Sequence, residues 1–187
     1  GDQAKSDSIG AYAFSAEGLT VILCTLEDRR VQFWDAQTGG RHQLDFEIAE
    51  EAEKKFSQCA VALAPNNSRF AASYAGVIGI WDRASPEGVG KPARVLSLEK
   101  LNPRASTITV HSLAYVDRLL VAGYSVGVLG VWRDQQGHML GAARAHEGAI
   151  WHIAVASDGA RFATAGRDGV IKVWRMGDRN PLRLLGE

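Results

Sequence analysis

Four tryptophans, Trp34, Trp81, Trp132 and Trp174, each close a strand-like run, VQFW, VIGIW, VLGVW and VIKVW. Their separations of 47, 51 and 42 residues make this chain an array of one repeated unit. A period in the forties belongs to units that are small sheets. Such a sheet cannot bury its apolar faces alone and gains its stability by stacking on its neighbours.

Reading each unit backward from its tryptophan gives the same elements in the same order four times. An alternating strand comes first: IGAYAFS from Ile9, CAVALAP from Cys59, VHSLAYV from Val110 and IWHIAVA from Ile150. A polar turn follows (AEGL, PNNSR, VDR, SDGAR), then a second apolar run (VILCTL, RFAASYA, LLVAGYS, RFATAG) and a tight turn into the tryptophan strand. A weaker fourth strand fits after each tryptophan: RHQLDFEI, ARVLSLE, HMLGAARA and PLRLLG. Period-2 alternation between Gly, Asp and Asn turns predicts antiparallel β-structure with almost no helix. Four strands per unit is the make-up of a propeller blade. The expected fold class is therefore all-β: β-propeller blades, four four-stranded antiparallel sheets, over residues 9–50, 56–100, 107–145 and 146–187 of a single 1–187 unit.

The last unit, AHEGAIWHIAVASDGARFATAGRDGVIKVW, resembles a WD repeat, with His146 opening an H-x3-I step, Asp168-Gly169 at the tight turn and IKVW as the signature strand. The resemblance implies a buried hydrogen-bond chain of His146, Thr164, Asp168 and Trp174. A buried imidazole, carboxylate, hydroxyl and indole N–H each need a partner, and here they can satisfy one another. That structural reading is preferred over nucleophilic catalysis by a His–Asp–Thr cluster. The other units depart from the pattern. The first has Asp28 and Trp34 but Cys24 at the expected hydroxyl position and no preceding histidine. The second has Tyr74-Ala75-Gly76 and the third Val126-Gly127, neither with a turn carboxylate. Those blades are expected to rely on packing.

Propellers run from about four to eight blades, and the resemblance implies a ring of seven or eight. Four blades in an open arc leave the outer faces of the first and last uncovered, an apolar patch beyond what a soluble monomer tolerates. The expectation is a partial propeller whose missing neighbour is a second copy giving eight blades (a homodimer), a different propeller-completing chain, or the rest of a longer protein. A closed four-bladed ring is the alternative.

Composition narrows the function. The 21 basic and 21 acidic residues balance, which argues against a broad nucleic-acid footprint. No apolar run reaches the ~18 residues of a membrane helix, and GDQAKSDS lacks secretory character. Cys24 and Cys59 both lie in apolar strands and read as buried thiols, so a cytoplasmic, reducing compartment is expected. The five histidines are scattered, with no metal-ligand spacing. The glycines of YSVGVLGVW lie between strands, without the helix N-terminus of a phosphate loop. No cofactor, metal, nucleic acid or membrane is expected, and no enzymatic activity. Residues 47–56, EIAEEAEKKF, read as a solvated connector that can form a helical turn or two. RASPEGVGKPAR reads as a flexible loop.

Rigid blades hold their loops at two ends of the assembly, which suits recognition of other proteins, although the role must be argued from a site. In WD-repeat proteins the residue just after the first apolar position of each first strand commonly meets peptides. Carried over, this gives Gly10, Cys59, His111 and Trp151, with Arg29 and Arg167 beside the tight turns. Trp151 is the leading candidate anchor, packing between blades being its alternative role. The function expected is a non-catalytic protein-protein interaction module, scaffold or sensor. The alternative is a purely structural half-propeller.

Overall fold

The computed structural model describes residues 8–26, 30–47, 58–74, 76–84, 92–98, 108–177 and 182–185, with the backbone alone at 43–47. Blade one is built from β1 (Ile9–Phe14), β2 (Thr20–Thr25), β3 (Arg30–Asp35) and β4 (Arg41–Glu47). Blade two has β5 (Cys59–Leu63), β6 (Arg69–Tyr74), β7 (Val77–Asp82) and β8 (Arg94–Ser97). Blade three has β9 (Val110–Val116), β10 (Leu119–Tyr124), β11 (Val128–Arg133) and β12 (His138–Arg144). Blade four has β13 (Ile150–Val155), β14 (Arg161–Gly166), β15 (Ile171–Arg175) and β16 (Arg183–Leu185). Each blade is an antiparallel meander in chain order, and no helix occurs among the described residues. The fold is therefore the all-β arrangement of four four-stranded blades that the tryptophan spacing predicts. The connector at 47–56, apart from Glu47 at the end of β4, and most of the loop at 83–94 lie outside the described residues.

Local chemistry sets the hairpins. Between β13 and β14, Gly159 turns at φ 66°, while the Asp158 carboxylate accepts the N–H groups of Ala160 and Arg161 at 2.9 and 3.0 Å. A short Asp side chain that bonds backbone two residues on is the usual device of such turns. Between β9 and β10 only Asp117 and Arg118 intervene, and Asp117 itself adopts φ 54°. This left-handed backbone is tolerated by Asp better than by most side chains.

Three blade junctions form the core, and each uses the period-2 alternation in the same way. Ile22, Val31 and Phe33 of blade one pack on Val61, Phe70 and Trp81 of blade two. The other side of blade two sends Ile78, Ile80 and Leu96 against Leu120, Tyr124 and Trp132. Blade three then sends Val121, Leu129 and Val131 against Ile150, Phe162 and Trp174. The tryptophan side of every following blade thus covers the aliphatic side of the one before it. β5 packs on β1 and β2, β9 on β5 and β6, and β13 on β9 and β10. Among the described residues no junction of that kind joins blade four to blade one. The innermost strands β1, β5, β9 and β13 all line one hollow of about 1480 Å³.

Candidate functional site

In blade four the registers bring four distant residues together. Phe162 pairs with Trp174, so Thr164, two residues along β14, shares the face of the tryptophan. Trp174 Nε1–H donates to Thr164 Oγ1 at 2.9 Å, and Thr164 Oγ1 lies 2.7 Å from His146 Nε2. The other ring nitrogen, Nδ1, lies 3.0 and 3.1 Å from the two carboxylate oxygens of Asp168. With the imidazole proton on Nδ1, every group is satisfied in one direction: indole to hydroxyl to imidazole to carboxylate. Asp168 also accepts the N–H groups of Glu147 at 3.0 Å and Val170 at 3.1 Å. The Glu147 N–H above all, then Val170 and His146, holds its carboxyl down at about 2. His146, Thr164 and Trp174 are buried, and of the four only Asp168 reaches the surface. The chemistry of the cluster is that of a clamp between a loop, a turn and two strands.

The other blades solve the same problem differently. Val21 pairs with Trp34, which puts Leu23 rather than Cys24 at the position of Thr164. Cys24 points to the opposite face, among the residues that pack on blade two. The repeat pattern misplaces this residue by one, and a one-residue shift turns a side chain to the other side of a sheet. In blade three the equivalent position is Ala122, and the indole N–H of Trp132 donates instead to the hydroxyl of Tyr124 at 3.1 Å. In blades one and two Nε1 of Trp34 and Trp81 is enclosed without a partner among the described residues. Trp81 gains a parallel stack on Phe70, with ring centroids 5.2 Å apart and planes 4° from parallel.

The exposed candidates sit where the first strands begin, and irregular pairing explains their placement. In β13, Ile150 pairs with Gly166 but His152 with the adjacent Ala165, leaving Trp151 as an extra, unpaired residue. In β9, Val110 pairs with Tyr124 and Ser112 with Gly123, so His111 is extra in the same sense. Gly10 holds that place in β1. A bulge takes one residue out of the alternation and re-aims its side chain. Trp151 is 41% exposed, and its ring meets that of His111 edge-on at 5.1 Å. His111 Nε2 lies 3.0 Å from Thr109 Oγ1, while its Nδ1 is enclosed without a partner. Desolvation of the half-buried ring lowers its pKa from 6.5, favouring the neutral imidazole.

The remaining candidates do not join this pair equally. Arg167 is exposed, and its backbone N–H donates to the Ala149 carbonyl at 2.8 Å, two residues before Trp151. Arg29 lies outside the described residues. Blade two has no bulge: Cys59 pairs regularly with Tyr74 and is buried, its thiol 3.7 Å from the Cys24 carbonyl. Cys59 is thus a packing residue rather than part of the surface. A Cβ on Gly10 would come within 2.6 Å of Cys59 Sγ, so the same packing denies a side chain to the position in blade one.

Sequence reasoning missed a polar tie between blades two and three. Asp134 is buried and accepts the Tyr115 hydroxyl at 3.0 Å and the Arg69 guanidinium at 3.2 Å, while Arg69 Nε meets Asp82 at 3.1 Å. Burial first, then the Asp134 charge, raises the Tyr115 pKa far above the ordinary tyrosine value. The hydroxyl is a fixed donor rather than a latent phenolate. Its only sequence signal was the Trp132-Arg133-Asp134 run that ends β11.

Among the described residues no group of three His, Cys, Asp or Glu side chains could hold a metal ion, and no helix is long and apolar enough to cross a membrane. Residues 137–175 match the family model described as WD domain, G-beta repeat. That stretch holds β12 through β15 and the whole His146–Thr164–Asp168–Trp174 clamp. The chain thus carries a WD repeat at residues 137–175 within a β-propeller arrangement of four blades built to one plan.

Proposed function

We propose that this chain is a non-catalytic protein-interaction module that recognises a peptide segment where Trp151 and His111 meet, with Arg167 at the margin. WD-repeat propellers are in general scaffolds for protein interactions. The observation that carries the specific reading is the pair of bulges, which turn a tryptophan and a neutral imidazole out at neighbouring strand starts. An exposed aromatic on a rigid strand is the residue type that anchors interfaces, because it brings large contact area with little ordering cost. Its setting is the clamped half of blade four, so the surface is preorganised. Two buried thiols support a reducing, cytoplasmic setting.

The test is a displayed peptide library selected on the wild-type chain, with the selected peptides measured against variants. Trp151→Ala should weaken them at least tenfold, and His111→Ala should do so to a smaller degree. Gln136→Ala, at the opposite end of the blades, should leave them unchanged. Peptides insensitive to Trp151→Ala would remove the reading. A second, structural reading, in which the chain serves to complete a ring, is favoured by the exposed apolar side chains of blades one and four, Tyr12, Phe14, Ile171 and Val173, which no other described residue covers.

A further inference from the structure

The two ring nitrogens of His111 are not equally provided for. Nε2 lies 3.0 Å from Thr109 Oγ1, and Thr109 is itself pinned to Ser125: its N–H donates to Ser125 Oγ at 3.1 Å and its carbonyl accepts the Ser125 N–H at 2.9 Å. Nδ1 is enclosed and has no partner among the described residues. Enclosed polar atoms are nearly always paired, and an exception asks for a reason. A neutral imidazole carries one proton, and the nitrogen without it is an acceptor. With the proton on Nε2 the ring donates to Thr109 Oγ1, and Nδ1 is a bare acceptor. The opposite tautomer encloses an N–H with nothing to receive it, which is the rarer situation for buried groups.

The neighbour that touches this ring is Trp151, edge-on at 5.1 Å. Trp151 is exposed and unpaired in its bulge, so its indole can turn without breaking a strand ladder. We propose that His111 Nδ1 is a specificity acceptor, which receives an N–H group from the peptide anchored on Trp151 once the indole turns aside. The inference rests on the Trp151 reading and names the chemistry of the ligand. An apolar contact meets Trp151, and a hydrogen-bond donor stands next to it. A ligand that places a carbonyl or carboxylate there sets acceptor against acceptor and is rejected.

Protonation turns Nδ1 from acceptor into donor, which fixes the sign of a pH dependence. Binding is full while the imidazole is neutral and is lost as pH falls through its pKa, which burial alone lowers from 6.5. The titratable groups on the strands packed against β9 are Cys59 of β5, Arg69 and Tyr74 of β6, Tyr124 of β10 and His152 of β13. Glu147, Arg167 and Asp168 lie at the same end of blade four. Arg69 is engaged with Asp82 and Asp134.

Two measurements test this. In the free chain, NMR of the His111 ring nitrogens should find the proton on Nε2, and a proton on Nδ1 would overturn the proposal. For binding, the probes are peptides selected on the wild-type chain from a library built without Asp, Glu and His, so that the ligand does not titrate. Their affinity should fall about fivefold between about pH 7.5 and pH 5, the worth of one hydrogen bond. His111→Phe keeps a ring against Trp151 without the acceptor and should lose about as much at the higher pH. His111→Asn offers a carbonyl acceptor that does not titrate, so it should bind as the wild type does there and show no fall in acid. His152→Gln should keep the fall. Wild-type affinity in His111→Phe, or an acid loss that persists in His111→Asn, would remove this inference while the Trp151→Ala effect upholds the underlying reading. Peptides insensitive to Trp151→Ala, or no selected peptide at all, would remove both.

Discussion

The hydroxyl of Tyr124 accepts the indole proton of Trp132 at 3.1 Å, doing in the third blade what Thr164 does for Trp174 in the fourth. Two blades thus reach the same end from different positions of the second strand. Burial raises the Tyr124 pKa, so the neutral hydroxyl persists through ordinary pH. Tyr124→Phe keeps the ring and strands the indole N–H, which should cost about 1–3 kcal/mol. Urea unfolding measures it, and a change near zero would show that the bond is idle.

The clamp of blade four should behave as a unit. Thr164→Val leaves both the Trp174 N–H and the His146 Nε2 without a buried partner, a loss of about 1–3 kcal/mol for each stranded group. Combined with Trp174→Phe, the effects should be less than additive by about 0.5–3 kcal/mol, as for residues of one network. Strict additivity in a double-mutant cycle would contradict the coupling.

Acid should loosen blade four through Asp168. Its folded pKa is about 2 against an ordinary 3.8, held there first by the Glu147 N–H. A lowered carboxyl contributes its stabilisation fully above pH 3.8, and the contribution is lost as pH falls toward 2. Asp168→Asn should lower the melting temperature at pH 7 and flatten its decline below pH 4. The slope that remains would come partly from Asp158, which the Ala160 N–H and Arg161 hold at about 2 as well.

Gly10 is required by packing rather than by its backbone angle. A Cβ there would meet Cys59 Sγ at 2.6 Å and Leu26 Cδ2 at 2.8 Å, so Gly10→Ala should destabilise the first junction by about 1–3 kcal/mol. Adding Cys59→Ala should recover part of the loss in thermal unfolding, because it removes the nearest atom.

Much of this was legible in the sequence because tryptophans and alternating strands carry their own period. Trp34, Trp81, Trp132 and Trp174 located four third strands, and one well-preserved unit revealed the clamp residues. What escaped was register. Cys24 and Leu23 differ by one position and by one whole face of the sheet, and no local signal separates them. The bulges at His111 and Trp151 are likewise invisible in an alternating pattern, because an extra residue shows only against the strand it pairs with. The tie from Tyr115 through Asp134 to Arg69 spans two blades, and sequence periodicity says nothing about which turns meet across a junction.

The recognition surface is tested most directly by the indole and ring resonances of the labelled chain when a selected peptide is added. The account predicts that the Trp151 indole N–H and the His111 ring protons move in concert with binding, while the buried indoles of Trp81, Trp132 and Trp174 stay in place. Shifts confined to Arg118, Gln136 and the opposite ends of the blades, with Trp151 unmoved, would contradict it.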